Sequence, residues 1–105
     1  MLIRSTKEML EKAKAGRYAV AAFNAENMEM VQAIVEAAEE LKAPVIIQTT
    51  SGTLKYATPE LYYSMAAAAA QKSEIPVAIH LDHGDSYERA AECLHAGYSS
   101  IMIDG

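Results

Sequence analysis

Short apolar runs alternate with longer amphipathic stretches along this chain. The apolar runs are rich in β-branched residues and nearly continuous, which is typical of strands in a buried parallel sheet. The strands that they predict cover residues 18–24, 44–49, 76–82 and 99–104. The stretches between them place apolar residues at helical spacing. Strands and helices therefore alternate, and the fold class is predicted to be α/β.

Residues suited to helix caps stand at the ends of the amphipathic stretches. A hydroxyl, amide or carboxylate side chain is expected at the start of a helix, and a glycine after its end. The predicted starts are capping boxes at Ser5 with Glu8 and at Asp85 with Glu88, a cap at Asn27, and Thr58 followed by Pro59, and the predicted ends are Gly16 and Gly97. These signals place one helix before the first strand and one between each successive pair of strands.

The spacing of the strands allows two architectures. The predicted strands begin at residues 18, 44, 76 and 99, and an eightfold barrel of about 250 residues needs roughly 31 residues per βα unit. One architecture is a complete doubly wound sheet. The other is the N-terminal portion, about the first four strands, of a (β/α)8 TIM barrel. The end of the chain on a predicted strand favours this second architecture. Residues 1–105 form a single domain in either case, truncated in the second.

Composition narrows the class of protein. A net charge of −5 and an isoelectric point near 5.1 argue against a surface for nucleic acid or an anionic membrane. No apolar run is long enough to span a bilayer, and the first residues lack the apolar core of a signal peptide. The single cysteine, Cys93, excludes an internal disulfide and fits a reducing cytoplasm, where we expect the protein to act. Its apolar neighbours on a predicted helix indicate a packing role.

The segment His80-Leu81-Asp82-His83-Gly84 carries the strongest functional signal. It ends the apolar run of the third strand, and the carboxyl ends of parallel strands are where α/β proteins place their chemistry. On a regular strand Asp82 and His83 would point to opposite faces. They can serve one site only if the strand ends at Asp82 and His83 belongs to the loop, a turn that Gly84 permits. The plainer interpretation is a polar strand end that meets solvent.

A carboxylate in such a position can donate or accept a proton, and an imidazole beside it can bind a metal. Catalytic zinc takes three protein ligands and keeps one open position, so His83 alone is not a metal site. His80 lies too close along the strand to complete that geometry, and His95 is placed at the far end of a helix. The missing ligands would have to come from elsewhere.

Several segments together resemble the N-terminal part of the class II, metal-dependent fructose-bisphosphate and tagatose-bisphosphate aldolases. The His-Leu-Asp-His motif that ends strand three is highly specific when Met-Ile-Asp follows at strand four. Ala21 is a departure, because the family often has Pro or Gly at that position. The matching segments are Ser5–Leu10, Tyr18–Asn24, Ala43–Ile47, Ala78–Gly84 and His95–Asp104.

The resemblance implies a zinc-assisted, reversible retro-aldol cleavage of a ketose 1,6-bisphosphate to dihydroxyacetone phosphate and glyceraldehyde 3-phosphate. His83 matches one of three zinc-ligating histidines, and the metal acts as a Lewis acid on the ketone oxygen. Asp82 matches the aspartate that handles the proton of the C4 oxygen. Asn24 matches a substrate-binding asparagine, and Thr50 matches the hydroxyl residue that helps hold a phosphate. Asp104 matches an aspartate near the metal, either beside a ligand or binding an alternate metal.

Two of these residues also have plainer interpretations. Asn24 could only cap or bridge the turn to the next helix. Thr50 and the residues after it, Ser51-Gly52-Thr53, could form an ordinary polar turn. The same loop looks slightly more like that of the tagatose-type members, while the choice between fructose and tagatose is left open.

The resemblance also predicts what the chain lacks. The family's two other zinc histidines and its glycine-rich phosphate loops lie beyond Gly105, so the isolated chain is expected to be inactive. Part of a barrel leaves two open edges, and we expect self-association of the chain and a homo-oligomeric whole enzyme. The alternative function is a non-catalytic α/β module that binds a sugar phosphate or a protein partner. A flavodoxin-like phospho-acceptor is disfavoured, because Asn24-Ala25-Glu26 offers a single carboxylate.

Overall fold

A computed structural model describes residues 1–104 of the chain, and its centre is a sheet of four parallel strands. The strands lie side by side in sequence order, so the sheet grows in one direction, as a barrel does. A doubly wound sheet reverses direction at a switch point, and that alternative is therefore wrong. The strands are β1 (Ala21–Asn24), β2 (Val45–Thr50), β3 (Val77–Gly84) and β4 (Ser100–Ile103).

One helix precedes β1, and every connection between consecutive strands contains at least one helix. Those that follow β1, β2 and β3 pack against their neighbours and against the sheet. A short helix directly after β2 was not predicted, since its residues were expected to form a polar loop. The helices are α1 (Lys7–Gly16), α2 (Met28–Leu41), α3 (Thr53–Tyr56), α4 (Pro59–Ala70) and α5 (Tyr87–Ala96). Within residues 1–104, no helix combines the length and the apolarity needed to cross a membrane.

Alternate residues of the strands face the helices and form the core. In β2, Val45, Ile47 and Thr49 are buried, whereas the residues between them are only partly covered. The adjacent strand β3 buries its side chains in the same register, with Val77 opposite Val45. The other face of the sheet therefore remains open, and its side chains at the carboxyl ends of the strands are polar.

The core accommodates polar groups only where they have partners. The hydroxyls of Thr49 and Tyr98, both buried, share a hydrogen bond of 2.8 Å. Burial raises the pKa of Tyr98, because the phenolate would lose its hydration. Cys93 is fully buried on α5, and burial raises the pKa of its thiol to about 11. The predicted packing role of Cys93 is confirmed.

The helix starts agree with the sequence at two positions and differ at two others. Asn27 and Thr58 each accept a hydrogen bond from the backbone three residues on, as predicted. The start of α5 is capped by Ser86, which accepts from Arg89 N at 3.1 Å, and not by Asp85. The predicted capping box of Ser5 with Glu8 does not form at α1: Thr6 precedes that helix and makes no side-chain cap bond, while Ser5 Oγ accepts from Lys7 N at 3.2 Å.

The first residues of the chain pack under the amino end of β3. Leu2 forms an isolated parallel bridge to Val77, and Ile3 N donates to Val77 O at 2.8 Å. Ser99 Oγ donates to Ile3 O at 2.6 Å and accepts from Ile79 N at 3.1 Å. This segment therefore covers the end of the sheet opposite to the polar strand ends.

Candidate active site at the carboxyl ends of the strands

An irregularity in β3 brings Asp82 and His83 to the same side of the sheet. The backbone of His83 is left-handed, with φ of 53°, and the register with β4 shifts between Leu81 and Gly84. The strand was predicted to end at Asp82 with a turn at Gly84. Instead the strand continues to Gly84, and His83 itself takes a left-handed backbone conformation where the register shifts. The consequence is the expected one, because the alternation is broken exactly once between the two side chains.

The carboxylate of Asp82 stands between two imidazoles. Its Oδ2 lies 3.6 Å from His83 Nε2, and its Oδ1 lies 3.8 Å from His80 Nε2. Asp82 and His80 are each about four-fifths covered, whereas the His83 side chain is 59% exposed. The exposed imidazole and the sheltered carboxylate can therefore approach one ligand together.

His83 is oriented by the carboxylate of Asp104. His83 Nδ1 and Asp104 Oδ2 are 2.7 Å apart, and Asp104 N donates to Gly84 O at 2.9 Å. The hydrogen bond to Asp104, together with the nearby charge of Asp82, raises the pKa of His83 above its ordinary value. The resemblance implied that Asp104 lies near a metal, and in the structure its carboxylate contacts His83, which the resemblance implied as a ligand.

His80 differs from His83 in both its environment and its hydrogen bonding. Its Nδ1 shares a bond of 2.6 Å with Ser100 Oγ on β4. Burial lowers the pKa of His80, although the charge of Asp82 acts in the opposite direction. His80 is thus tied into the sheet, where it packs beside Asp82.

Gln48 connects two of the predicted site residues, and the sequence analysis missed it. Its Nε2 donates to Asn24 Oδ1 at 2.7 Å and to Asp82 Oδ2 at 3.3 Å. Gln48 pairs with Asn24 and with His80 in the strand register, so these three side chains lie on the open face. Asp82, two residues after His80, lies on the same face. A polar amide inside the apolar run of β2 was the signal that could have identified it.

Thr50 lies at the end of β2, level with Asp82. Its Oγ1 is 3.1 Å from Thr53 Oγ1 and accepts from Thr53 N at 3.2 Å. Thr53 Oγ1 in turn donates to Glu26 Oε1 at 2.9 Å. The loop after β2 is therefore held by side-chain hydrogen bonds. These bonds connect Thr53 and Glu26 to the predicted site residue Thr50.

The residues present fit a metal only in part. Among residues 1–104, no three side chains of His, Cys, Asp or Glu converge closely enough to hold an ion. His83 has the features of a single ligand, because a carboxylate on Nδ1 fixes the ring and leaves Nε2 for a metal. His95 stands in the last turn of α5, away from the strand ends, as predicted.

Comparison with known proteins identifies relatives of this chain. The family model described as fructose-bisphosphate aldolase class-II matches residues 4–105. A fructose-bisphosphate aldolase of Thermus caldophilus is 52% identical over 97 residues, which are 92% of this chain and 32% of the relative. One of Treponema pallidum (strain Nichols) is 44% identical over 106 aligned residues, covering 96% of this chain and 32% of the relative.

A solved structure shows the same fold. The crystal structure of the YdjI aldolase from Escherichia coli K12 matches with a TM-score of 0.90 and 36% sequence identity. The match covers 100% of this chain and 41% of that chain. This chain thus spans about a third of the length of the curated relatives that it matches. Its four strands correspond to the N-terminal portion of the barrel, as the sequence predicted.

Proposed function

Because the chain belongs to the class II fructose-bisphosphate aldolase family, we propose that it forms part of a site for reversible retro-aldol cleavage of a ketose 1,6-bisphosphate. The products are dihydroxyacetone phosphate and glyceraldehyde 3-phosphate. The observation that carries the proposal is the approach of Asp82 Oδ2 to His83 Nε2, 3.6 Å, at one strand end. A protein that only binds sugar phosphates has no need of a carboxylate and an imidazole in this relation.

We assign the proton transfer to Asp82. In cleavage the bond between C3 and C4 breaks while the C4 hydroxyl becomes a carbonyl, so the hydroxyl proton must leave. A carboxylate within hydrogen-bond reach accepts that proton and returns it in the condensation direction. Gln48 Nε2 holds one oxygen of Asp82, which limits the rotation of the carboxylate and supports this role.

We assign His83 as one ligand of a zinc ion. Zinc, when bound, supplies a Lewis acid for the ketone oxygen of the substrate. Asp104 engages Nδ1 of His83, so it holds the ring while Nε2 remains for the metal, which favours this role over direct binding. A catalytic zinc has three protein ligands, and residues 1–104 supply one of them. Residues 1–105 are accordingly proposed as a partial barrel domain that is inactive alone.

We assign Asn24 and Thr50 to substrate binding. Asn24 Oδ1 accepts from Gln48, so the amide is oriented with its NH2 group available to a substrate oxygen. Thr50 stands beside Asp82 at the end of the adjacent strand. These positions allow one ketose to reach Asn24, Asp82 and Thr50 together. Whether it is fructose or tagatose depends on the configuration at C4, and both bisphosphates belong in the assay.

The test uses a hybrid protein in which this chain replaces the matching segment of the Thermus caldophilus relative. We expect the hybrid to release glyceraldehyde 3-phosphate from a ketose bisphosphate, and a chelator to abolish that activity. Asp82→Asn should lower kcat by about a hundredfold or more, whereas His95→Ala, remote from the strand ends, should leave it unchanged. Turnover by the isolated chain would contradict its proposed inactivity. A hybrid that binds the sugar phosphate without zinc and never cleaves it would favour the non-catalytic alternative.

A further inference from the structure

The hydrogen bonds beside Asp82 have a fixed direction. Thr53 Oγ1 donates its proton to Glu26 Oε1 over 2.9 Å, because a carboxylate can only accept. A hydroxyl carries one proton, so Thr53 has none left for Thr50. In the bond of 3.1 Å between the two threonines, Thr50 must therefore be the donor.

The oxygen of Thr50 has a second partner in the same loop. Thr53 N–H donates to it at 3.2 Å and occupies one of its two lone pairs. The proton of Thr50 points toward Thr53 and one lone pair is taken, so a single lone pair is left for a ligand. In this arrangement Thr50 can accept a hydrogen bond from a ligand and cannot donate one.

The core holds this arrangement in place. Thr53 is 4% exposed and Tyr62 is 1% exposed. The hydroxyl of Tyr62 donates to the backbone oxygen of Glu26 at 2.8 Å and so holds the backbone of the residue whose carboxylate accepts the proton of Thr53. Reversing the direction of the bonds would leave the Glu26 carboxylate without its donor, at the cost of a charge-assisted hydrogen bond.

We propose that Thr50 of this chain recognises a donor group, a free hydroxyl of the ketose, and that Glu26 and Thr53 act together against phosphate at this position. A phosphate dianion presents only acceptors, so it would meet the remaining lone pair of Thr50 unfavourably. The carboxylate of Glu26, two hydrogen bonds away, adds repulsion between like charges. The inference rests on the proposed aldol cleavage and departs from the phosphate-holding role that the resemblance implies for Thr50. Among ketose phosphates that the proposed site could cleave, the chain favours a monophosphate over the bisphosphate.

The test compares the kcat/KM values of two substrates for the same protein. A difference in the amount of folded enzyme between variants then cancels from the ratio. In the hybrid, kcat/KM for fructose 1,6-bisphosphate is divided by kcat/KM for fructose 1-phosphate and, separately, for fructose 6-phosphate. Thr53→Val removes the acceptor of the Thr50 proton and should raise one of the two ratios roughly tenfold, the effect of one hydrogen bond. Thr53→Ser retains the hydroxyl and should change neither ratio.

Glu26→Gln separates the effect of charge from that of bond direction. The Gln oxygen can still accept from Thr53, so only the charge is removed, and the same ratio should rise by a smaller factor than in Thr53→Val. Ratios that stay constant or fall in Thr53→Val would overturn the proposal.

A second measurement needs no turnover. The 105-residue chain is titrated with inorganic phosphate while the backbone amide of residue 53 is followed by NMR. Thr53→Val should bind phosphate several-fold more tightly than the unchanged chain, and equal or weaker binding would overturn the proposal. An inactive hybrid would count against the proposed aldol cleavage, whereas the titration would still decide the role of Thr50.

Discussion

The carboxamide of Gln48 determines how the Asp82 carboxylate is presented. Both of its protons are used, one by Asn24 Oδ1 at 2.7 Å and one by Asp82 Oδ2 at 3.3 Å. The amide therefore links the substrate-binding residue proposed on β1 to the proton-transfer residue proposed on β3. Gln48 has no proposed role in proton transfer or metal binding, yet its two hydrogen bonds orient both Asn24 and Asp82.

Replacing Gln48 with leucine should impair catalysis by the hybrid without unfolding it. The leucine fills a similar volume but leaves Asp82 without its amide donor, so we expect kcat/KM to fall by about tenfold, or about 1.4 kcal/mol. Steady-state kinetics with a ketose bisphosphate measures the change. Gln71→Leu, at the end of α4, is the control and should have no effect. An unchanged kcat/KM in Gln48→Leu would show that Asp82 is positioned by other groups.

The pKa of His83 should depend on Asp104. The hydrogen bond that His83 donates to Asp104 is the largest cause of the raised pKa, so Asp104→Asn should lower the pKa of His83 toward its ordinary value of 6.5. NMR titration of the imidazole protons in the metal-free chain measures both values. Asp85→Asn, an exposed acid that is not bonded to the ring, serves as the control. Equal pKa values in the chain and in Asp104→Asn would contradict the bond seen here.

The same bond makes stability depend on pH. The folded chain binds the His83 proton more tightly than the unfolded chain does, so protonation stabilises the fold. This stabilisation is fully present below pH 6.5 and is lost as the pH rises through the raised pKa of folded His83. Between pH 6.5 and the raised pKa of folded His83, the melting temperature of Asp104→Asn should vary less with pH than that of the unchanged chain.

At the scale of the elements, apolar runs and periodicity predicted all four strands and every helix longer than one turn. They were less informative about boundaries: β1 begins at Ala21, although the apolar run starts at Tyr18. The left-handed backbone of His83 could not be predicted, because it lies where the register with β4 shifts, and local sequence does not specify that pairing. Gln48 was missed for a related reason, since its partners come from two other strands.

The start of α5 offers a test at this scale. Ser86 accepts a hydrogen bond from Arg89 N, whereas Asp85 stands one residue before it and is exposed. Ser86→Ala should lower the free energy of unfolding by about 1 kcal/mol, the usual effect of losing a capping oxygen. Asp85→Ala should change it by less than about 0.5 kcal/mol. Urea denaturation of both variants measures the difference, and a larger effect of Asp85→Ala would restore the capping box predicted from sequence.

At the scale of the molecule, the outer strands of the sheet are exposed. Within residues 1–104, β1 and β4 each pair with a strand on one side only. Beside β1 an apolar groove of about 340 Å³ runs between the strand and α2, and Phe23 and Leu41, which line it, are 51% and 76% exposed. Apolar surface next to an open edge favours pairing with another copy of the chain.

We therefore expect the isolated chain to self-associate. Sedimentation velocity should show a mass that rises with protein concentration, and Phe23→Glu should shift the distribution toward the monomer by placing a charge at the edge. Tyr56→Glu alters an aromatic residue on α3 that is more exposed than Phe23 and lies away from the groove, and it should leave the distribution unchanged. A monomer at every concentration tested would mean that the exposed edges are not sufficient for association.

The order of the strands has a consequence for how the chain is made. Each strand after β1 pairs with the strand that precedes it in sequence. During synthesis, the partner of each new strand has therefore already been translated. The first three residues are the exception, because their partners Val77 and Ser99 are translated much later. Residues 1–3 can therefore make these hydrogen bonds only after Ser99 has been synthesised, later than the pairing of β1 with β2.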